Sequence, residues 1–106
     1  MTTNSSIHVI VEGSARVSER DREAYLEIVK GVVAASAKKP GCVKFSVAED
    51  ILQRNLFHLT ELWTDMASLD ASRFGDANMA VLRKLSTLDV QERLVSIHHV
   101  SRTESA

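Results

Sequence analysis

Asn55-Leu56-Phe57-His58-Leu59-Thr60-Glu61-Leu62-Trp63, followed at once by Thr64-Asp65, decides how the rest of the chain is read. Apolar residues alternate here with period two. Phe57, Leu59, Glu61 and Trp63 therefore share one face of a strand, and His58, Thr60 and Leu62 share the other. One face holds three large apolar groups and a single carboxylate. A carboxylate between Leu59 and the only tryptophan of the chain must reach solvent, find a hydrogen-bond partner or occupy a pocket, because desolvating it unpaired is costly. Glu61 and Trp63 are thus the first candidates for function.

Upstream, the polar run Glu49 to Asn55 connects this strand to Cys42–Ala48. There Val43, Phe45 and Val47 alternate with Cys42, Lys44 and Ser46, so the two strands are expected to form an antiparallel hairpin. Pro40-Gly41 stops a helix whose C-terminal end carries Lys38 and Lys39. That helix is expected to start at Ser18, an N-cap residue followed by Glu19 and Asp21, and to lay Tyr25, Ile28, Val29, Val32 and Ser36 onto the sheet. Before it, Ile7–Glu12 reads as the first strand, with Gly13 marking a bulge.

Downstream, Asp65 caps a short helix reaching about Phe74, Gly75-Asp76 breaks it, and a further helix turns Val81, Leu82, Leu85 and Leu88 inward. Asp89–Arg93 reads as a turn and Leu94–Val100 as the last strand. The order strand, helix, strand, strand, helices, strand predicts an α+β, ferredoxin-like antiparallel four-stranded sheet with helices on one face. Residues 7–100 are expected to form one domain, with 1–6 and 101–106 as flexible termini. Ile7, Val9, Val11, Val43, Phe45, Val47, Phe57, Leu59 and Trp63 would lie under the helices. His8, Ile10, Glu12, Lys44, Ser46, His58, Thr60 and Leu62 would form the other face, whose mixed character suits a homodimer interface.

Composition narrows the function classes. The 106 residues carry a net charge of −1, with 44% hydrophobic and 25% charged residues. The basic residues do not cluster, so no nucleic-acid partner is expected. No apolar stretch approaches membrane-spanning length, so no membrane partner is expected either. Met1–Ser6 lacks the basic and apolar regions of a signal peptide, and Cys42 is the sole cysteine; both suit a cytoplasmic location.

Pro40-Gly41-Cys42-Val43-Lys44-Phe45, the hairpin Asp50–Phe57, and Glu61-Leu62-Trp63 followed by Ala67-Ser68-Leu69 resemble the antibiotic biosynthesis monooxygenase domains of the dimeric α+β barrel superfamily. The resemblance spans roughly Ile7 to Val100. It implies two sheets paired face to face in a barrel. It also implies an activity known in several members, oxidation of polycyclic phenols, anthrones or hydroquinones by O2 without flavin, metal or haem. A deprotonated substrate of this kind reduces oxygen itself, so the protein supplies a dry pocket, a base and donors for the developing charge. Carried over, Trp63 is a pocket wall and Glu61 the candidate base or hydrogen-bond acceptor, together the catalytic pair. Phe45, Phe57, Tyr25 and Leu82 would line the substrate pocket, with Ser72 and Arg73 on the opposing helix. No cofactor and no metal site is implied.

Ser72 stands where many relatives have a histidine, nine residues after the Trp. This favours an alternative, a non-catalytic homodimeric module binding a small apolar ligand. The haem-degrading branch is not supported, because the first strand offers Gly13 where an Asn is needed and no His lies between His58 and His98. Glu61 itself has a structural reading, an ion pair with Arg73 or Arg83 or a cap on backbone donors. His8, His58 and His98 could face one way on three adjacent strands, a geometry that could hold zinc but that suits hydrogen-bonded imidazoles at an interface equally well, and no metal site is expected. Cys42 is expected on the polar sheet face, and Ser36, Ser68 and Ser72 have no readable His partner for nucleophilic catalysis.

Overall fold

A computed structural model describes residues 6–106. Residues 1–5 of the N-terminal segment expected to be flexible lie outside the described residues. The chain runs β1 (Val9–Val17), a 3-10 turn (Glu19–Asp21), α1 (Arg22–Ser36), β2 (Cys42–Glu49), β3 (Leu56–Trp63), α2 (Met66–Arg73), α3 (Asp76–Leu85) and β4 (Val90–His99). The four strands form one antiparallel sheet in the order β2-β3-β1-β4, the ferredoxin-like arrangement expected. All three helices lie on one face.

The register explains which side chains the helices cover. Val9 pairs with Trp63, Val11 with Glu61, and Ala15 with Phe57. On the other side of β3, Phe45 pairs with Glu61 and Val47 with Leu59. These residues share the helix-covered face, as the period-two pattern requires. The core divides into two clusters along it. One joins Val9, Val11, Trp63 and Leu69, with Cys42, Leu59, Met66 and Ile97 against them. The other joins Val17, Tyr25 and Phe57, with Leu26, Val29, Val47, Leu85, Leu88 and Val90.

Local chemistry sets the helix boundaries. Asp65 accepts from the Ser68 N–H at 2.7 Å and so caps α2, as its position after β3 predicts. Gly41, at φ 79°, takes a left-handed conformation that ends the α1 connection, and its carbonyl accepts from Thr64 N–H at 2.9 Å. Ser18 does cap a helical segment, but the first turn is 3-10 and α1 starts only at Arg22. Lys38 and Lys39 lie just past the end of α1.

Three expectations are corrected. β1 does not stop at Gly13 but continues to Val17, hydrogen-bonded on both sides to β3 and β4. Gly13 is needed for close approach, since a Cβ there would lie 2.7 Å from the Leu94 carbonyl oxygen. β4 begins at Val90, not Leu94: the polar run Gln91–Arg93 is strand, and an irregularity between Ser14 and Arg16 is matched by Glu92 at φ 51°. A second irregularity between Cys42 and Lys44 places Cys42 opposite Trp63 in the core cluster. Val43, expected under the helices, is instead 40% exposed.

Candidate functional site

Glu61 sits mid-strand between Val11 and Phe45 on its neighbours, with Leu59 and Trp63 flanking it along β3. Trp63 is completely buried, and its indole Nε1–H donates to Glu61 Oε1 at 2.8 Å. Two residues apart on one face of a strand, the donor and acceptor reach each other without leaving the extended backbone. Burial raises the Glu61 carboxyl above its ordinary value; the Trp63 N–H and the charge of Lys39 act in the opposite sense. Among the described residues no basic side chain forms an ion pair with Glu61.

The expected ion pair with Arg73 or Arg83 is therefore absent. Arg73 Nε donates to Asp70 at 2.9 Å, and its guanidinium lies 4.5 Å from the centre of the Phe74 ring. The spacing of three residues along α2 makes Asp70 the nearer carboxylate. Arg83 is exposed on α3.

Lys39, which sequence reasoning placed only at a helix end, is a further candidate residue. Its ammonium donates to Ser72 Oγ at 2.8 Å, linking the α1–β2 connection to α2. Its backbone is held too, by Lys39 N–H to Ser36 and by Cys42 N–H to the Lys39 carbonyl. The hairpin register carried the signal. Because Cys42 lies opposite Trp63, the residues just before Cys42 arrive at the Trp63 end of the sheet. Lys39 and Ser72 also line a solvent-open cavity of about 470 Å3, together with Pro40, Ser68, Ala71 and Asp76. Neither Glu61 nor Trp63 lines this cavity.

The structure thus brings Glu61, Trp63 and Phe45 together, with Phe45 half-buried beside the carboxylate, and places Ser72 within reach of the same cation. It separates Tyr25 and Phe57 from them. Their rings pack 5.0 Å apart in the second core cluster, six residues down β3 from Trp63, or about 20 Å at strand rise. Leu82 is 36% exposed and belongs to neither cluster.

Cys42, expected on the polar face, packs in the core instead. Burial and then the Glu61 charge raise its thiol, the opposite of what a thiolate nucleophile requires. The histidines do not cluster. His98 lies opposite Ile10 on β1 whereas His58 lies opposite Ser14, four residues further along. Each has its own partner: His8 Nδ1 with the Thr64 carbonyl at 3.0 Å, His58 with Asp50 at 2.9 Å, and His98 with Glu12 at 3.2 Å.

A four-stranded antiparallel sheet in the order β2-β3-β1-β4 with its helices on one face defines the ferredoxin-like α+β class. Residues 8–77 match the family described as antibiotic biosynthesis monooxygenase, and the chain belongs to that family. A solved structure from Deinococcus radiodurans, described as a candidate antibiotic biosynthesis monooxygenase, superposes with a TM-score of 0.87 at 18% identity, over 92% of this chain and 97% of the other. A conserved protein from Methanosarcina mazei Go1 gives 0.81 at 22% identity, over 91% and 95%. SnoaB, a cofactor-independent oxygenase from Streptomyces nogalater, gives 0.77 at 16% identity, also over 91% and 95%. At these identities the likeness is one of fold. Among curated proteins, the uncharacterized protein sll1783 of Synechocystis is 29% identical over 62 residues, 58% of this chain. The matched segment covers 42% of that relative. No helix among the described residues is long and apolar enough to cross a membrane.

Proposed function

We propose that this protein is a homodimeric monooxygenase that oxidises an aromatic, anthrone or quinol-type small molecule with O2 and no added cofactor. The observation that carries this reading is the Glu61 carboxyl, half-buried among Val11, Phe45, Leu59 and Trp63, free of any cationic partner in ion-pair contact and raised in pKa. A carboxylate in that state is a stronger base than an exposed one and suits removal of a phenolic or benzylic proton. The resulting carbanion or phenolate is the electron donor to O2. For an anthrone, one oxygen atom ends in the product carbonyl and the other leaves as water with the two hydrogens of the oxidised methylene. For a quinol, one oxygen atom enters at a ring carbon to give a hydroxyquinone and the other leaves as water with two hydrogens, net one from that ring C–H and one from a hydroxyl. Trp63 holds the base through its N–H and walls the apolar side. Family membership supports the reaction class, and the likeness to SnoaB supports its cofactor independence.

The homodimer reading rests on the uncovered sheet face. It carries half-buried Ile10 and Leu62 and exposed Leu94 beside Glu12, His58 and His98, a mixture suited to a second copy. Residues 7–100 are taken as the folding unit, in a reducing cytoplasm compatible with the free Cys42 thiol.

The test is oxygen uptake by purified, metal-analysed protein over a panel of hydroquinones and anthrones, beside a Glu61→Gln variant. Uptake above background that the variant loses supports the reading. Ligand binding with no uptake for any of them would favour the non-catalytic binding module instead, which Ser72 in place of a histidine already makes the second reading.

A further inference from the structure

We propose that Lys39 and Ser72 form a subsite for a single anionic oxygen, a carboxylate or ionised phenol, on an aromatic ligand occupying the cavity between the α1–β2 connection and helices α2 and α3. The cavity is lined by neither Glu61 nor Trp63, so the inference goes beyond the reading above and rests on it only for the ligand's aromatic body, not for the ligand's charge.

The cavity, at about 470 Å3, falls within the size range of small-molecule sites. Pro40 and Ala71 give it apolar wall, while Lys39, Ser68 and Ser72 give it an ammonium and two hydroxyls. This is the composition of a site that binds an apolar body and fixes one polar end.

Lys39 is suited to the role because its position is set in advance. Its backbone is hydrogen-bonded on both sides to Ser36 and Cys42, and its side chain is half-buried rather than free in solvent. Its present partner, Ser72 Oγ at 2.8 Å, is neutral. An incoming anionic oxygen can take one ammonium proton and leave another on Ser72, because the ammonium carries three donors. The bond to the charged acceptor, formed on a second ammonium N–H beside the retained one to Ser72, is the stronger of the two.

The acidic neighbours set the ligand's charge. Asp76 lines the same cavity, exposed in the first turn of α3, where the helix dipole and water both weaken its field. Glu61 lies within electrostatic reach of Lys39. One cation set against these carboxylates accepts a monoanion and disfavours a phosphate dianion.

The experiment is calorimetric titration of the full chain with a hydroxynaphthoate and with the matching neutral naphthol, in wild type, Lys39→Met, Lys39→Arg and Ser72→Ala. Wild type is expected to prefer the acid by about tenfold, the scale of one charge-assisted contact. Lys39→Met should erase the preference while leaving naphthol affinity unchanged, Lys39→Arg should retain most of it, and Ser72→Ala should reduce it. Circular dichroism checks that each variant is folded. A preference that survives Lys39→Met, or equal binding of acid and naphthol by wild type, would overturn the subsite. The subsite is judged by the acid-over-naphthol preference in binding and the oxygenase reading by oxygen uptake of the wild-type protein, so loss of the one and loss of the other give different results.

Discussion

Trp63 Nε1–H is the hydrogen-bond donor to Glu61 Oε1, across 2.8 Å, and the indole that donates is the most deeply buried large side chain described. The bond favours the ionised carboxylate against the burial that disfavours it. Trp63→Phe keeps an aromatic ring and removes the donor, so the Glu61 carboxyl should rise further from its ordinary value. Carbon-13 NMR titration of the glutamate carboxyls measures this directly; an unchanged Glu61 titration would show that the indole does not hold it. Trp63→Ala, which also empties the core at Val9, Val11 and Leu69, should cost about 3–5 kcal/mol in chemical denaturation.

The same carboxyl predicts a pH dependence of stability. Its folded pKa lies above the ordinary value of 4.5, so the folded chain binds this proton more tightly than the unfolded chain. Its contribution is complete below pH 4.5 and is lost as pH rises through the folded value. Glu61→Gln should therefore flatten the wild-type decline over the window just above pH 4.5, read as the urea midpoint against pH. If both proteins decline in parallel there, the carboxyl is not destabilised by burial.

Glu49 acts with the opposite sign. Arg22 reaches both of its oxygens, at 2.6 and 2.7 Å, and the Asn55 N–H reaches it as well, holding the carboxyl at about 2. A lowered folded value means stability present above pH 4.5 and lost as pH falls through about 2. Glu49→Gln should lower the urea midpoint at neutral pH, and the two proteins should converge in strong acid. A constant gap down to pH 2 would place the effect in packing instead of charge.

Where side-chain pattern and local capping governed, the fold was legible in the sequence. The alternation Phe57, Leu59, Glu61, Trp63 gave the central strand, Pro40-Gly41 the end of the helix region, Asp65 a cap and Gly75 a break. Tertiary pairing governed the remainder. Gly13-Ser14-Ala15-Arg16 has little strand character alone, yet β3 and β4 hydrogen-bond it from both sides. The exchange of Cys42 and Val43 between faces follows from a ladder irregularity that no periodicity reports. The Glu61–Trp63 contact was legible because a carboxylate interrupts an apolar face. Lys39 was not, because its role depends on how the hairpin and α2 come together.

The turn that delivers Lys39 supplies the last prediction. Gly41 holds φ 79°, and a Cβ built there would overlap the Ser68 side chain and stand 2.9 Å from Thr64 Oγ1. Gly41→Ala should therefore cost about 1–2 kcal/mol for the left-handed backbone and about 1–3 kcal/mol for the overlap. Relief of that overlap pushes the 39–41 segment away from α2, lengthening the Lys39–Ser72 contact. Ser68→Gly beside Gly41→Ala removes the Ser68 part of the clash and leaves the backbone strain, so the double variant should recover part of the lost stability in thermal or urea unfolding. Ser68→Gly alone supplies the cost of a glycine inside α2; no recovery beyond that cost would mean that the backbone strain and the Thr64 contact, not Ser68, make glycine necessary at this position.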